Sequence, residues 1–316
     1  MVINTVLGPI LVKELGITLM HEHIVVNIEG AENSIEKSYA VEEVVEYILP
    51  YLLEAKEKGC QTIVEATPLG LGRDLEVLVE CSKRSGINII TCTGAWDGAN
   101  VQGLSVPKNI QDMTIDEIAD VWSKEFEEGI DNTGIKPGFI KLALGDEGKI
   151  FPLQEKLLRA AVRTSNKTGM VIQCHIWESS SVPSAIKIIE EENLPYDRFI
   201  WVHADGQMNM ETILEFGKKG IWLEFDCLGS AEDFSKYPPA IKKLIEENLI
   251  TQLLFGQDSG SYWIKRAEEE WPMRPYARFF NEFIPSCEKE GIDTELINKV
   301  ITENSERALS IKQMKI

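Results

Sequence analysis

The chain has 316 residues, of which 44% are hydrophobic and 26% charged, and carries a formal net charge of −19. A soluble globular protein of that size buries a large core without disulfides. Its acidity excludes the basic footprint that nucleic acid or an anionic membrane surface requires, which leaves a small-molecule substrate as the expected partner.

The N-terminal segment MVINTVLGPILVKELGITLMHEH lacks a basic stretch followed by a clean apolar core. Lys13 and Glu14 interrupt it, so no signal peptide is expected. No stretch approaches the ~20 apolar residues of a membrane span. The six cysteines, at 60, 81, 92, 174, 227 and 287, form no CxxC pair, which favours a reducing cytoplasm over dense disulfide bonding.

Eight short apolar runs alternate with longer amphipathic segments. The first, residues 17–24, contains His21 and His23, and a loop over 27–38 follows. Residues 41–58 predict a helix with Val44, Val45, Ile48, Leu52 and Ala55 on one face. The second run covers 62–67. The third, 88–95, ends against Trp96 and a long loop over 97–113. The fourth, 139–144, holds Lys141. A helix is predicted over 153–168, then a fifth run, 171–176, with His175, and a helix over 185–192. The sixth run, 199–204, holds His203. The seventh, 220–226, ends in Asp226 and is followed by Cys227. The eighth, 253–258, ends in Asp258, and a third long loop covers 259–272. A last helix near 293–311 is expected on the exterior. Repeated strand–helix units imply parallel strands with right-handed crossovers, and eight of them favour closure into a single-domain α/β fold, the (β/α)8 TIM barrel. The first run is not followed by a glycine-rich phosphate loop. The three long loops fall on the C-terminal face, where active sites of this fold are built.

All four histidines lie at or near the C-terminal ends of proposed strands. His21 and His23, two apart, share a strand face. One buried histidine is most often a satisfied core residue, but four in one place suit nitrogen ligation of a metal. Asp258 either caps the next helix or, since the eighth strand neighbours the first in a barrel, faces His21 and His23 as a ligand and proton acceptor. Lys141 is flanked by apolar residues. It either snorkels to water or is held neutral or modified.

The segments TVLGPILVKELGITLMHEH, GLGRDLEVLVECSKRSGINIITCTGAW, GIKPGFIKLAL, QCHIW, WVHAD and LLFGQD together resemble the phosphotriesterase family of the amidohydrolase superfamily, in its lactonase branch, over nearly the whole chain. The resemblance implies a binuclear divalent-metal centre, zinc in the first instance, with manganese, cobalt or iron as alternatives. His21, His23 and Asp258 would bind the buried ion and His175 and His203 the exposed one. Lys141 would bridge them as a carbamate, and a bridging hydroxide would attack the substrate. A homodimer is also implied.

The pocket resembles the family less. Organophosphate-hydrolysing members have a histidine, and lactonases often an arginine, where this chain has Cys227. Trp96 replaces a lactonase tyrosine. Lys265, Arg266, Arg274 and Arg278 follow the eighth run. They are either a solvated face paired with Glu268, Glu269 and Glu270, or a site for an anionic group such as that of a phosphorylated sugar lactone. The expected activity is lactone hydrolysis, with phosphotriester or amide hydrolysis as alternatives and a non-catalytic binding protein as the least favoured.

Overall fold

The predicted apolar runs are strands in the computed structural model, which describes residues 1–32, 37–98, 105–145 and 148–311. Parts of two predicted loops, 33–36 and 99–104, therefore lie outside the described residues. Strands β1 (Val2–Thr5) and β2 (Gly8–Leu11) form an antiparallel hairpin. Then come β3 (Thr18–Val26), β4 (Thr62–Glu65), β5 (Asn88–Ile90), β6 (Cys92–Gly94), β7 (Phe139–Leu144), β8 (Val171–Ile176), β9 (Phe199–Val202), β10 (Trp222–Phe225), β11 (Leu253–Phe255) and β12 (Ser259–Trp263).

One parallel sheet runs β12-β3-β4-β5 and another β6-β7-β8-β9-β10-β11. Since β5 continues into β6 past Thr91, and β11 into β12 past residues 256–258, the sheets join at both edges and the ring closes. The Gln257 and Asp258 N–H groups donate to the His21 carbonyl at 3.2 and 2.9 Å, sealing the last seam. The fold is the expected (β/α)8 barrel.

The helices are α1 (Val41–Glu57), α2 (Leu75–Ser85), α3 (Lys108–Asp112), α4 (Ile115–Glu128), α5 (Pro152–Thr168), α6 (Val182–Glu191), α7 (Met210–Lys219), α8 (Tyr237–Glu246), α9 (Ile284–Lys289), α10 (Thr294–Lys299) and α11 (Ser305–Leu309). Strand alternation divides the apolar side chains into two clusters. Outward residues such as Ile63, Ile140 and Leu223 meet the helices, including the predicted α1 face of Val44, Val45, Ile48, Leu52 and Ala55. Inward residues such as Met20, Val64, Phe139 and Trp222 fill the barrel.

Two expectations change. The segment after the eighth run begins as strand β12, parallel to β3, rather than as a loop. The terminal helix is interrupted by a π-helical turn at Val300–Asn304. Its Ala308 and Leu309 join the barrel-filling cluster, with Ile3, Val12 and Leu15 from the N-terminal segment, so it plugs the barrel instead of lying on its outside. The six cysteines are all buried and form no disulfide among the described residues. No helix among the described residues is long and apolar enough to cross a membrane.

Candidate metal centre

Strand pleat and two close backbone approaches assemble the site. A register shift between Leu19 and Glu22 on β3 spans His21 and precedes His23. Glu22 turns outward and accepts from the Ser259 N–H at 3.0 Å. A Cβ at Gly256 would lie 2.7 Å from His21, and one at Gly260 would lie 2.1 Å from the His23 carbonyl oxygen. The two glycines thus let the β11–β12 segment press against β3, and Asp258 stands between them. Asp258 (φ 51°) and His203 (φ 62°) both hold left-handed backbone, uncommon for side-chain-bearing residues and concentrated at functional sites.

His21 Nε2 and His23 Nε2 are 3.2 Å apart. Asp258 Oδ1 lies 3.1 Å from His23 Nε2 and 3.7 Å from His21 Nε2. Lys141 Nζ, fully buried, is 3.1 Å from His21 Nε2. The other ring nitrogens are engaged away from this convergence point. Asp226 meets His21 Nδ1 at 2.7 Å through one oxygen and His203 Nδ1 at 2.6 Å through the other. Thr67 gives its hydroxyl proton to Glu65, so it accepts from His23 Nδ1–H at 2.8 Å. The His175 and His203 rings sit edge-on, with centroids 4.5 Å apart. Within the described residues, two donor groups in particular hold their ligand atoms within 4.8 Å: His21, His23 and Asp258, and His21, His203 and Asp226.

Electrostatics follow from burial. Desolvation and then the Lys141 ammonium push His21 well below the ordinary histidine range, and desolvation holds His203 down to about 4. Both rings are neutral near pH 7, the form that ligates. Burial lowers Lys141, opposed by Glu224, Asp226 and Asp258. Burial raises Glu224 and Asp226 well above the carboxylate range, and Asp205 to about 6. Both Glu224 oxygens are buried without a hydrogen-bond partner among the described residues. Burial opposes ionisation of Asp258, but His23, His21 and His203 hold it well below its ordinary value.

The site floors a cavity of about 760 Å³. Trp96 lines it, 4.8 Å ring to ring from His175, and so do Trp177, Trp263, Trp271 and Arg274. The structure scatters the other substrate-contact candidates. Cys227 is buried with Sγ 4.0 Å from His203 Nδ1 and is not among the lining residues. Lys265 and Arg266 are exposed and do not line the cavity, and Arg266 pairs with Glu29 at 3.0 Å. Arg278 is spent on the carbonyls of Leu228, Gly229 and Ala231. None of these cations pairs with Glu268, Glu269 or Glu270 among the ion pairs of the described residues. Sequence reasoning missed the joint role of Asp226, the Thr67–Glu65 pair and the tryptophans at 177, 263 and 271. The position of Asp226 and Thr67 at strand ends was the available signal.

A sequence profile of the phosphotriesterase family matches residues 1–309. A phosphotriesterase homology protein of Escherichia coli (strain K12) is 25% identical, over 92% of this chain and 96% of its own. An N-acetyltaurine hydrolase of Xenopus tropicalis is 26% identical over 98% of each. An aryldialkylphosphatase of Saccharolobus solfataricus is 26% identical, over 94% of this chain and 96% of its own.

Proposed function

The chain belongs to the phosphotriesterase family of metal-dependent hydrolases, and from that premise we propose that it holds two divalent ions, zinc first among the candidates, and hydrolyses a lactone. The observation that carries this is the convergence of His21, His23 and Asp258 ligand atoms, with Lys141 beside them and His175 and His203 next along the rim. Nitrogen and carboxylate donors of this kind suit zinc and its neighbours. The excess of buried carboxylate over cation fits as well, because a bound cation offsets the rise that burial imposes on Asp226 and Glu224. His21, His23 and Asp258 would hold the buried ion, and His175 and His203 the exposed one. Lys141 would join them as a carbamate, which converts a poorly solvated ammonium into an anionic ligand.

Such ions supply a water-derived nucleophile at neutral pH and Lewis acidity toward the substrate carbonyl. The protein's own groups do the rest. Asp226 fixes the orientation of His21 and His203, and the Thr67–Glu65 pair that of His23. Asp258 keeps 36% of its side chain open and accepts the proton of the attacking water. Trp96 and Trp177 wall the His175–His203 side against bulk solvent.

Lactone is favoured over phosphotriester by Cys227. Burial and then Asp205 push its thiol far above neutral, so it cannot relay protons as the histidine of organophosphate hydrolases does. A second reading, hydrolysis of an N-acyl amide, draws on the relatives named N-acetyltaurine hydrolase. A panel of γ-lactones, a paraoxon-like triester and N-acyl amino acids and sulfonates separates them. Lactone turnover should exceed triester turnover by on the order of 10²-fold, the scale of one missing acid–base group. Triester turnover equal to lactone turnover overturns the assignment, and turnover confined to the amides selects the second reading.

A further inference from the structure

Resting on the reading of this cavity as the hydrolytic site, we infer that Arg274 determines specificity by binding an oxyanion terminus of the substrate, remote from the reacting bond. Of the described residues that line the cavity, Arg274 is the only lysine or arginine. In a chain of net charge −19, one cation on the cavity wall is a selective feature rather than a sample of the average surface.

Arg274 is also held in place before any ligand arrives. Its backbone forms an antiparallel bridge with Gly260, whose N–H donates to the Arg274 carbonyl at 2.9 Å. Its Nη1 donates to the Asp258 carbonyl at 3.1 Å. A guanidinium has five N–H donors in a rigid fork, so one bond to Asp258 orients the group and leaves most of the fork for a ligand. Among the described residues no carboxylate forms an ion pair with it, whereas Arg266 is paired with Glu29 and Arg278 with Glu282. Arg274 is thus a half-buried, oriented cation without a carboxylate partner among the described residues.

Its surroundings give the rest of the ligand class. Trp263 and Trp271 meet at a tilt with centroids 4.6 Å apart and line the same cavity with Val26, Ile28 and Leu71. That wall suits a short apolar stem between the anion and the reacting carbonyl. Asp258 links the two ends, its side chain on His23 and its backbone carbonyl on Arg274. The substrate class is a small acyl compound ending in a carboxylate, phosphate or sulfonate.

Binding of matched acids tests this whatever the scissile bond is. Valerate, glutarate and 4-phosphonobutyrate present a similar stem and one carboxylate to the metal end, and differ at the other end. Dissociation constants for the metal-loaded protein can be read from tryptophan fluorescence, since Trp263 and Trp271 report on this wall. Glutarate or 4-phosphonobutyrate should bind about 30-fold or more tighter than valerate, the low end for a truncated buried charge pair. Which of the two binds tighter identifies the oxyanion. In Arg274→Met, and in Arg274→Gln should that variant fold better, the preference should collapse to within ~3-fold, while Arg274→Lys keeps part of it, as a point charge without the fork. Equal binding of all three acids by the unaltered protein, or an undiminished preference in the Met and Gln variants, overturns the inference. Failure to turn over any lactone would instead overturn the lactonase reading and leave the binding ratio standing.

Discussion

At the scale of single residues, what matters is where each imidazole proton goes. His23 offers Nε2 to the convergence point only because Thr67 takes its Nδ1 proton, and Thr67 is free to do so because its own proton goes to Glu65. Thr67→Val keeps the shape and removes the hydroxyl. It should weaken metal binding by about 10–100-fold, as removal of a ligand-orienting partner does. Thr67→Ser should restore it. Chelator competition on the folded variant measures this, and unchanged affinity in the valine variant would show that Thr67 does not orient His23. Lys141 gives a second residue-scale prediction. Metal-loaded protein equilibrated with ¹³C-bicarbonate should show a carbamate carbon resonance that Lys141→Ala lacks. Its absence from fully metallated wild-type protein would contradict the modification. The histidine pair and Lys141 were legible in the sequence because residue type and local spacing carried the signal. Asp226 was not, because its two partners lie 205 and 23 residues away and only barrel closure brings them to one carboxylate.

At the scale of elements, the informative feature is the broken eighth strand. An apolar run ending in Asp258 reads as a strand stop. What the sequence does not reveal is that the chain turns through a left-handed Asp258 and resumes as β12 along β3. Gly260 (φ 89°) permits this, because any Cβ there would strike the His23 carbonyl and the Tyr276 hydroxyl. Gly260→Ala should therefore cost about 1–3 kcal/mol through strained backbone, and more if the clash is not relieved. It should also lower bound metal by moving Asp258. Thermal melting and elemental analysis of the same preparation check both, and a variant as stable and as metal-rich as the parent would refute the close-approach argument. The basic segment teaches a similar lesson. Four cations close in sequence read as one cluster, yet a turn-rich path sends Arg266 and Arg278 to separate partners and leaves Arg274 as the one of the four that lines the cavity.

At the scale of the molecule, the barrel was legible because eight two-face-buried strands leave few alternatives to closure. How its lower end is closed was not, since an amphipathic terminal helix looks the same whether it covers the outside or plugs the bottom. Ala308 and Leu309 enter the interior cluster, and Asn304 ties the segment to the Ile250 and Leu253 carbonyls at 2.9 and 2.8 Å. Leu309→Ala should destabilise the fold by about 2–5 kcal/mol in denaturant titrations, because it opens a cavity in a packed core, while leaving KM unchanged at the far end of the barrel. We propose that this end-plugged barrel holds a two-ion hydrolytic centre at its open mouth. The most direct test is metal removal and return, with ions per chain and turnover followed together. A two-ion centre should show about two divalent ions per chain, loss of turnover on chelation, recovery when zinc or manganese is restored, and no recovery in His21→Ala or His203→Ala. Full turnover in the chelated, metal-free protein would contradict it.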